Sequence, residues 1–143
     1  NDFFDFHTSK GDHKNPPYTL DDALFDSLRM TPDRLVVGEV RDSAAYTVMD
    51  AWNTGHNGGI LTIHANSPKL VLRRIHDLIR MRYEKGEFNS MIGDSVDIVV
   101  YMAKVGDISR KVHSIISVKG YDETEKKYIT VITVSMKMSI YKD

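Results

Sequence analysis

Cysteine is absent from this 143-residue chain. A protein without cysteine has no disulfide framework and no thiolate chemistry, and it is compatible with a reducing compartment. An excess of one charge is missing as well, because 19 basic and 20 acidic residues leave a formal net charge of −1. Such a balance gives no general attraction to polyanions, so we predict no direct nucleic-acid binding.

Long apolar runs are also missing. None approaches the roughly 18 residues that a membrane-spanning helix needs, and no basic segment opens the chain as in a secretory signal peptide. Hydrophobic residues make up 41% of the chain and charged residues 27%, which is typical of a globular protein. The length predicts one domain over residues 1–135, followed by a tail at residues 136–143.

Helix signals recur along the chain. Thr19 and Asp22 form a capping-box pattern that predicts a helix to about Met30, which Pro32 stops. Asp42 or Ser43 is predicted to cap a second helix, which ends near Asn53. Ser67 and Pro68 are typical of the cap and first position of a third. A short helix is expected over residues 88–92.

The strand signals are apolar runs. We predict strands over residues 33–40, 59–64 and 96–102, all in one sheet, with the first two parallel and joined by a right-handed crossover. Continuous apolar character favours strands that helices cover on both faces. Residues 112–118 and 128–134 alternate and flank a polar turn, so they predict an antiparallel extension at the sheet edge. Alternating aromatic residues near the amino terminus suggest a short strand through His7, before a polar loop.

Two ionisable residues follow the first two apolar runs. Glu39 follows the run Leu35–Val37 after Gly38, and His64 follows the run that ends at Ile63. In an open α/β sheet, ligands bind outside the carboxyl ends of the strands, so both side chains are expected at one edge. The alternatives are structural: Glu39 as a partner of a helix cap or a surface ion pair, and His64 as a hydrogen-bonded structural residue.

Two longer strings carry a family resemblance. Residues 28–41 read LRMTPDRLVVGEVR, and residues 53–67 read NTGHNGGILTIHANS. They resemble the traffic ATPases of type II and type IV secretion, above all those of conjugative transfer. In that family the first string is the Walker B segment and the second is the histidine box. The resemblance implies an α/β fold that is the C-terminal portion of a RecA-like P-loop ATPase core.

The resemblance also implies roles for single residues. Glu39 would be the Walker B acid, a catalytic group that contacts Mg²⁺ directly or through water. Arg41 would join Glu39 in cofactor binding, and His56 and His64 would be catalytic histidine-box groups near the γ-phosphate or the subunit interface. The implied cofactors of the full-length protein are ATP and Mg²⁺. The implied assembly is a hexameric ring of copies, bacterial and cytoplasmic, held peripherally at the inner membrane by secretion components.

The family's phosphate-binding motif is not in this sequence. No G-x-x-x-x-G-K-[ST] string occurs, and neither does the acidic Asp box expected before Walker B. We therefore expect the chain to be the C-terminal part of such an ATPase and to be inactive alone. The alternatives are a non-catalytic assembly fragment, a type II secretion or type IV pilus motor, and a metal-dependent hydrolase that uses His56, His64 and Glu39.

The predicted third helix is rich in arginine. Arg73, Arg74, Arg80 and Arg82 lie on it or just beyond it. Such residues usually form a solvated face. A subunit contact is the alternative, because ring ATPases can place an arginine against phosphate charge on a neighbouring subunit.

Overall fold

A computed structural model describes residues 4–105 and 109–135 of the chain, so the predicted tail lies outside the described residues. The fold is mixed α/β, as predicted. A 3₁₀ turn at Pro68–Leu70 precedes the third helix, and no helix of the described residues is long and apolar enough to cross a membrane. The elements in order are α1 (Leu20–Arg29), β1 (Val36–Val37), α2 (Ala45–Asn53), β2 (Ile60–Leu61), α3 (Val71–Arg80), α4 (Asn89–Ser95), β3 (Ile98–Val105), β4 (Ser109–Asp122) and β5 (Lys127–Ser135).

The residues before α1 form no strand where they are described. Residues 4–8 are irregular, so the strand prediction there is wrong, because no described strand lies beside them to take their backbone hydrogen bonds. An isolated bridge between Ser9 and Tyr18 closes the loop that follows, with N–H···O distances of 2.8 and 3.0 Å. The polar loop prediction is confirmed.

The capping box of α1 is confirmed. Thr19 Oγ1 accepts from the Asp22 N–H at 3.2 Å, and the Asp22 carboxylate accepts from the Thr19 N–H at 2.8 Å. These reciprocal bonds satisfy two backbone donors that the helix leaves unpaired. The helix ends at Arg29 with Met30 as its cap, and Thr31 adopts a left-handed φ of 49° before Pro32.

The starts of the next two helices differ in detail from the prediction. Asp42 accepts the Ala44 N–H at 3.0 Å, but the helical residues of α2 begin at Ala45, after a turn. Ser67 makes no side-chain cap, and the chain passes through a 3₁₀ turn before α3 begins at Val71.

The strands form two sheets rather than one. β1 and β2 pair in parallel, with Val36 opposite Ile60 and Val37 opposite Leu61, as predicted. The third predicted strand is not their neighbour: β3 pairs antiparallel with β4, and β4 with β5. The single-sheet prediction is therefore wrong. Pairing with the adjacent segment of the chain closes a short loop, which costs less conformational entropy than joining a distant strand.

One core connects the helices to both sheets. It contains Met49, Leu78, Ile79 and Ile92, which are fully buried. Val37, Ile116 and Val118 join it from the strands. Only one face of each sheet is covered among the described residues. The other faces carry exposed aliphatic side chains: Val36, Ile60, Ile98, Val100, Met102, Ile129 and Val131. The prediction that helices cover both faces of the parallel strands is therefore wrong for the described chain.

Candidate functional site

The two parallel strands end side by side. Ile60 N–H donates to the Leu35 carbonyl at 3.0 Å, Thr62 N–H to the Val37 carbonyl at 3.3 Å, and Val40 N–H to the Thr62 carbonyl at 3.0 Å. The Thr62 hydroxyl also donates to the Gly38 carbonyl. This ladder continues past the formal strand bounds, so Glu39 and His64 leave the sheet at the same edge.

Glu39 contacts both of its predicted partners. Arg41 Nη2 donates to Glu39 Oε2 at 2.5 Å, and His64 Nε2 lies 3.2 Å from Glu39 Oε1. Glu39 is half-buried, with its side chain 25% exposed, whereas the side chains of Arg41 and His64 are 76% and 88% exposed. The carboxylate is thus the least exposed of the three groups, and the guanidinium and the imidazole that contact it lie at the surface.

One carboxylate oxygen of Glu39 is enclosed without an aligned hydrogen bond. Oε1 is buried, and no described donor reaches it with good hydrogen-bond geometry, although His64 Nε2 lies within ion-pair distance. Buried polar atoms are normally paired, so this oxygen has unused capacity to accept a bond. A further ligand could reach this oxygen only if the His64 side chain, which is 88% exposed, moved away from it.

The Glu39 carboxyl is held in its charged form. The hydrogen bond from Arg41 lowers the pKa of Glu39 below its ordinary value, against partial desolvation, which acts in the opposite direction. The charges of Arg41 and His64 lower this pKa further. The same pairing raises the pKa of Arg41. At neutral pH the site therefore presents an anionic oxygen.

His56 lies in a different environment from His64. Its Nδ1 is 3.3 Å from the carbonyl oxygen of Pro32, just before β1, and the residue is half-buried. None of the hydrogen bonds or ion pairs of the described residues joins His56 to Glu39. Sequence reasoning grouped the two histidines, and the structure brings only His64 to the carboxylate.

The turn before β2 is packed tightly against α2. A Cβ added to Gly59 would lie 2.2 Å from Trp52 Nε1 and 2.7 Å from the Leu35 carbonyl oxygen. Trp52 Nε1 is itself buried without a hydrogen-bond partner among the described residues. Only glycine permits this approach, so the indole and the turn together fix where β2 begins.

Two residues of the site carry roles that sequence reasoning missed. The Thr62 hydroxyl ties β2 to the Gly38 carbonyl, and the Tyr101 hydroxyl donates to the Asn66 carbonyl at 3.2 Å. Tyr101 lies on β3, so the antiparallel sheet supports the loop that follows His64. A threonine in an apolar strand is a weak signal for such a bond. For Tyr101 the sequence holds no local signal at all.

The metal-hydrolase alternative is not supported by the arrangement of ligands. Across residues 4–105 and 109–135, no group of three or more histidine, aspartate and glutamate side chains is arranged to hold a metal ion. His56, His64 and Glu39 therefore do not form a protein cage of the kind that alternative required. A magnesium ion held chiefly by water and phosphate needs only one or two carboxylates and is a different case.

Comparison with known proteins decides the family. Residues 11–133 match the family described as type II/IV secretion system protein. The chain belongs to that family. Its match covers both strings on which the resemblance was based, together with the antiparallel sheet.

Individual relatives agree with this assignment. The chain is 38% identical over 109 residues to the conjugal transfer protein TrbB of Rhizobium radiobacter, which covers 76% of this chain and 33% of that protein. It is 42% identical over 98 residues to a probable TrbB of Sinorhizobium fredii, covering 68% and 30%. It is 33% identical over 95 residues to the protein VirB11 of Agrobacterium fabrum, covering 63% and 28%. The chain thus spans about a third of the length of these relatives.

Proposed function

We propose that this chain is the C-terminal part of a RecA-like P-loop ATPase that powers conjugative or type IV secretion. Membership in the secretion family and similarity to proteins named for conjugal transfer support the choice of process. The observation that carries the chemistry is the Glu39 carboxylate at the end of β1, with Arg41 on one oxygen and His64 beside the other. The working protein would be longer, with the phosphate-binding loop outside this chain.

The residues of the site fit a magnesium nucleotide. Mg²⁺ keeps much of its water and takes one or two carboxylates together with substrate phosphates, so a single ionised Glu39 at the end of β1 suits it. Glu39 would hold the ion, directly or through water, and Arg41 would keep the carboxylate charged and oriented. Bound Mg-ATP would supply the phosphoryl group and a metal that neutralises its charge.

His64 would act beside the reacting phosphate. An imidazole at the mouth of the site can donate a hydrogen bond to a phosphate oxygen. His56, on the turn that precedes β2, would act through that turn near the γ-phosphate or the subunit interface. Comparing His64→Ala with His56→Ala in the longer protein separates these roles: slower turnover with assembly intact is expected of the first.

Assembly and location follow from the same proposal. The longer protein would form a hexameric ring, cytoplasmic and peripheral at the inner membrane, in contact with secretion components there. The uncovered faces around Val36 and Ile60, with 68% and 61% of each residue exposed, support the idea that further structure packs on the parallel strands. A type II secretion or type IV pilus motor would share these features. The similarity to conjugal transfer proteins favours conjugative or type IV secretion instead.

The isolated chain tests directly whether the phosphate-binding loop lies outside residues 1–143. Without a G-x-x-x-x-G-K-[ST] loop it should show no Mg-ATP hydrolysis and at best weak nucleotide binding. Calorimetry with ATP and Mg²⁺ on residues 1–143 measures this, with the longer protein as the positive control. Sub-micromolar binding by residues 1–143 alone would contradict the proposal and would favour a complete site within this chain. Absence of turnover in the longer protein would leave the assembly-fragment alternative as the better one.

A further inference from the structure

The side of the antiparallel sheet that faces away from the core is aliphatic. On β3 its residues alternate with the buried Val99. Antiparallel sheets with one side in water normally alternate apolar residues toward the core with polar residues toward the solvent. Here five aliphatic residues on the outer side are between 42% and 60% exposed: Ile98, Val100 and Met102 on β3, and Val131 and Val134 on β5. We call the surface that these five residues form the open face.

The pairing register makes the open face continuous across the three strands. The β4 residue opposite Ile98 is also opposite Val131, and the β4 residue opposite Val100 is also opposite Val134. Residues directly opposite each other in an antiparallel pair lie on the same face of the sheet. The exposed aliphatic residues of β3 and β5 therefore lie in two adjoining rows. Single exposed apolar residues need no explanation, but contiguous ones mark a surface that another group covers.

Two cations stand at one end of the open face. Lys104 on β3 and Arg110 on β4 are exposed and directly opposite each other. Opposite side chains have Cβ atoms about 5 Å apart, and like charges at such positions destabilise the pairing. Across residues 4–105 and 109–135, no carboxylate lies within ion-pair distance of either cation. The register also places no aspartate or glutamate on the open face, so this end favours an anionic partner.

We propose that the open face is the docking site of an amphipathic helix, which the longer protein supplies from sequence outside residues 1–143. The apolar stripe of this helix covers the aliphatic rows, and aspartate or glutamate side chains near one of its ends pair with Lys104 and Arg110. A helix is a usual cover for the apolar face of a sheet in proteins that combine both elements. The inference rests on the longer protein of the proposed function.

Charge and connectivity favour this occupant over others. A second copy that docked through the same face would bring the same two cations and no carboxylate to pair with them. A segment of the same polypeptide loses less translational and rotational freedom on docking than a separate molecule does. Since the chain spans about a third of the length of its relatives, most of a protein of that length lies outside these residues.

Thiol labelling measures whether the open face is covered, because residues 1–143 contain no cysteine. Val100→Cys places one thiol on this face, and mass spectrometry of its peptide reports the rate of reaction with a maleimide. We expect the reaction to be slower by about tenfold or more in the longer protein than in residues 1–143, because the cover must open locally before the thiol can react. Thr124→Cys lies in the exposed turn between β4 and β5 and should react at similar rates in both proteins.

Replacing the two cations tests the electrostatic part of the proposal. Lys104→Glu with Arg110→Glu, added to Val100→Cys in the longer protein, should bring the labelling rate several-fold closer to that of residues 1–143, because like charges would then meet at the end of the helix. Lys104→Arg with Arg110→Lys keeps both charges and should keep the protection. In residues 1–143 neither pair of substitutions should change the rate.

Equal labelling of Val100→Cys in the two proteins would overturn the proposal, and so would protection that survives the charge reversal unchanged. Ile98→Cys is a second reporter on the same face, which guards against a local disturbance by Val100→Cys. Protection that disappears when the longer protein is diluted to the monomer would assign the face to a neighbouring copy. Fast labelling in the longer protein, together with protection of residues 1–143 by phosphatidylglycerol vesicles, would assign it to a lipid surface. Because labelling needs no ATP hydrolysis, this test can fail or succeed independently of the proposed ATPase activity.

Discussion

Glu39 combines two different oxygens in one carboxylate. Oε2 accepts from Arg41 at 2.5 Å, while Oε1 is buried with His64 Nε2 at 3.2 Å and no aligned donor. The bond from Arg41 to the first oxygen keeps the group ionised, and the second oxygen lies enclosed beside the imidazole. This asymmetry distinguishes Glu39 from an ordinary surface ion pair, in which both oxygens are hydrated.

Replacing Arg41 by Met should raise the pKa of Glu39 toward its ordinary value, because the hydrogen bond from Arg41 is the main cause of the lowered pKa. A lowered carboxyl pKa contributes stability that is present above the unfolded value of about 4.3 and is lost as pH falls through the folded value. Arg41→Met should therefore show a shallower loss of stability in acid. Carboxyl ¹³C NMR titration measures the shift.

Arg80→Met is the matched control for that substitution, since Arg80 is an exposed arginine that does not contact Glu39 in the described structure. It should leave the Glu39 titration where it is in the unmodified chain. An unchanged Glu39 titration in Arg41→Met would mean that the short contact with Arg41 does not set the carboxyl's charge.

At the scale of elements, the turn between α2 and β2 depends on one close approach. Gly59→Ala would place a methyl group 2.2 Å from Trp52 Nε1, and the indole has no free space because Trp52 is 9% exposed. We expect a loss of about 1–3 kcal/mol in the free energy of unfolding, as for other overpacked sites. Chemical denaturation measures it.

Gly38→Ala is the control for Gly59→Ala, because a Cβ at Gly38 meets nothing within 4 Å. Its effect should stay within about 0.5 kcal/mol, as for a surface substitution. Equal losses in the two variants would show that backbone flexibility, and not contact with Trp52, requires glycine at residue 59.

One face of the antiparallel sheet packs into the core, and the other face is exposed among the described residues. Ile116 on β4 is 4% exposed and belongs to the core, whereas Ile98 on β3 is 60% exposed. Ile116→Ala should lower the free energy of unfolding by about 2–5 kcal/mol, because it leaves a cavity. Ile98→Ala removes the same atoms from the open face and should cost less than about 1 kcal/mol. A comparable loss at Ile98 would mean that its face is covered in solution.

The elements divide clearly into those that local sequence specifies and those that it does not. Thr19 and Asp22 specify the start of α1 by local hydrogen bonds, and the parallel pairing of β1 with β2 follows from the intervening helix. An apolar run does not encode its partner, and β3 pairs with the adjacent β4 rather than with β1 or β2. The bond from the Tyr101 hydroxyl to the Asn66 carbonyl is not visible in the sequence either, because it joins residues 35 apart in the chain.

The candidate site shows the same division. Glu39 and His64 were predicted together because both follow apolar strands, and their contact at 3.2 Å confirms that they meet. The histidine-box resemblance places His56 in the same site, but its Nδ1 lies 3.3 Å from the Pro32 carbonyl oxygen instead. The cleft that His64, Arg73 and Arg74 line together joins residues of a loop and a helix, a grouping that only the packed structure shows.

At the scale of the whole molecule, the chain combines membership of a secretion family with a short span of its relatives' length. Residues 11–133 match the type II/IV secretion system protein family, and the chain spans about a third of its relatives. It provides a carboxylate, a cation and an imidazole but contains no P-loop string. These facts agree with a site whose phosphate-binding half is supplied by further sequence, as proposed above.

Steady-state ATP hydrolysis by the longer protein carrying Glu39→Gln is the most direct test of this central proposal. The substitution keeps the size of the side chain and removes its charge. Nucleotide affinity and oligomer mass, measured beside turnover, serve as controls for folding and assembly. We predict that the variant binds ATP and assembles normally but turns over more slowly by a factor on the order of 10²–10³, by analogy with the loss of other groups that stabilise transition-state charge. Near-normal turnover would contradict the proposal and would make Glu39 a structural ion pair with Arg41.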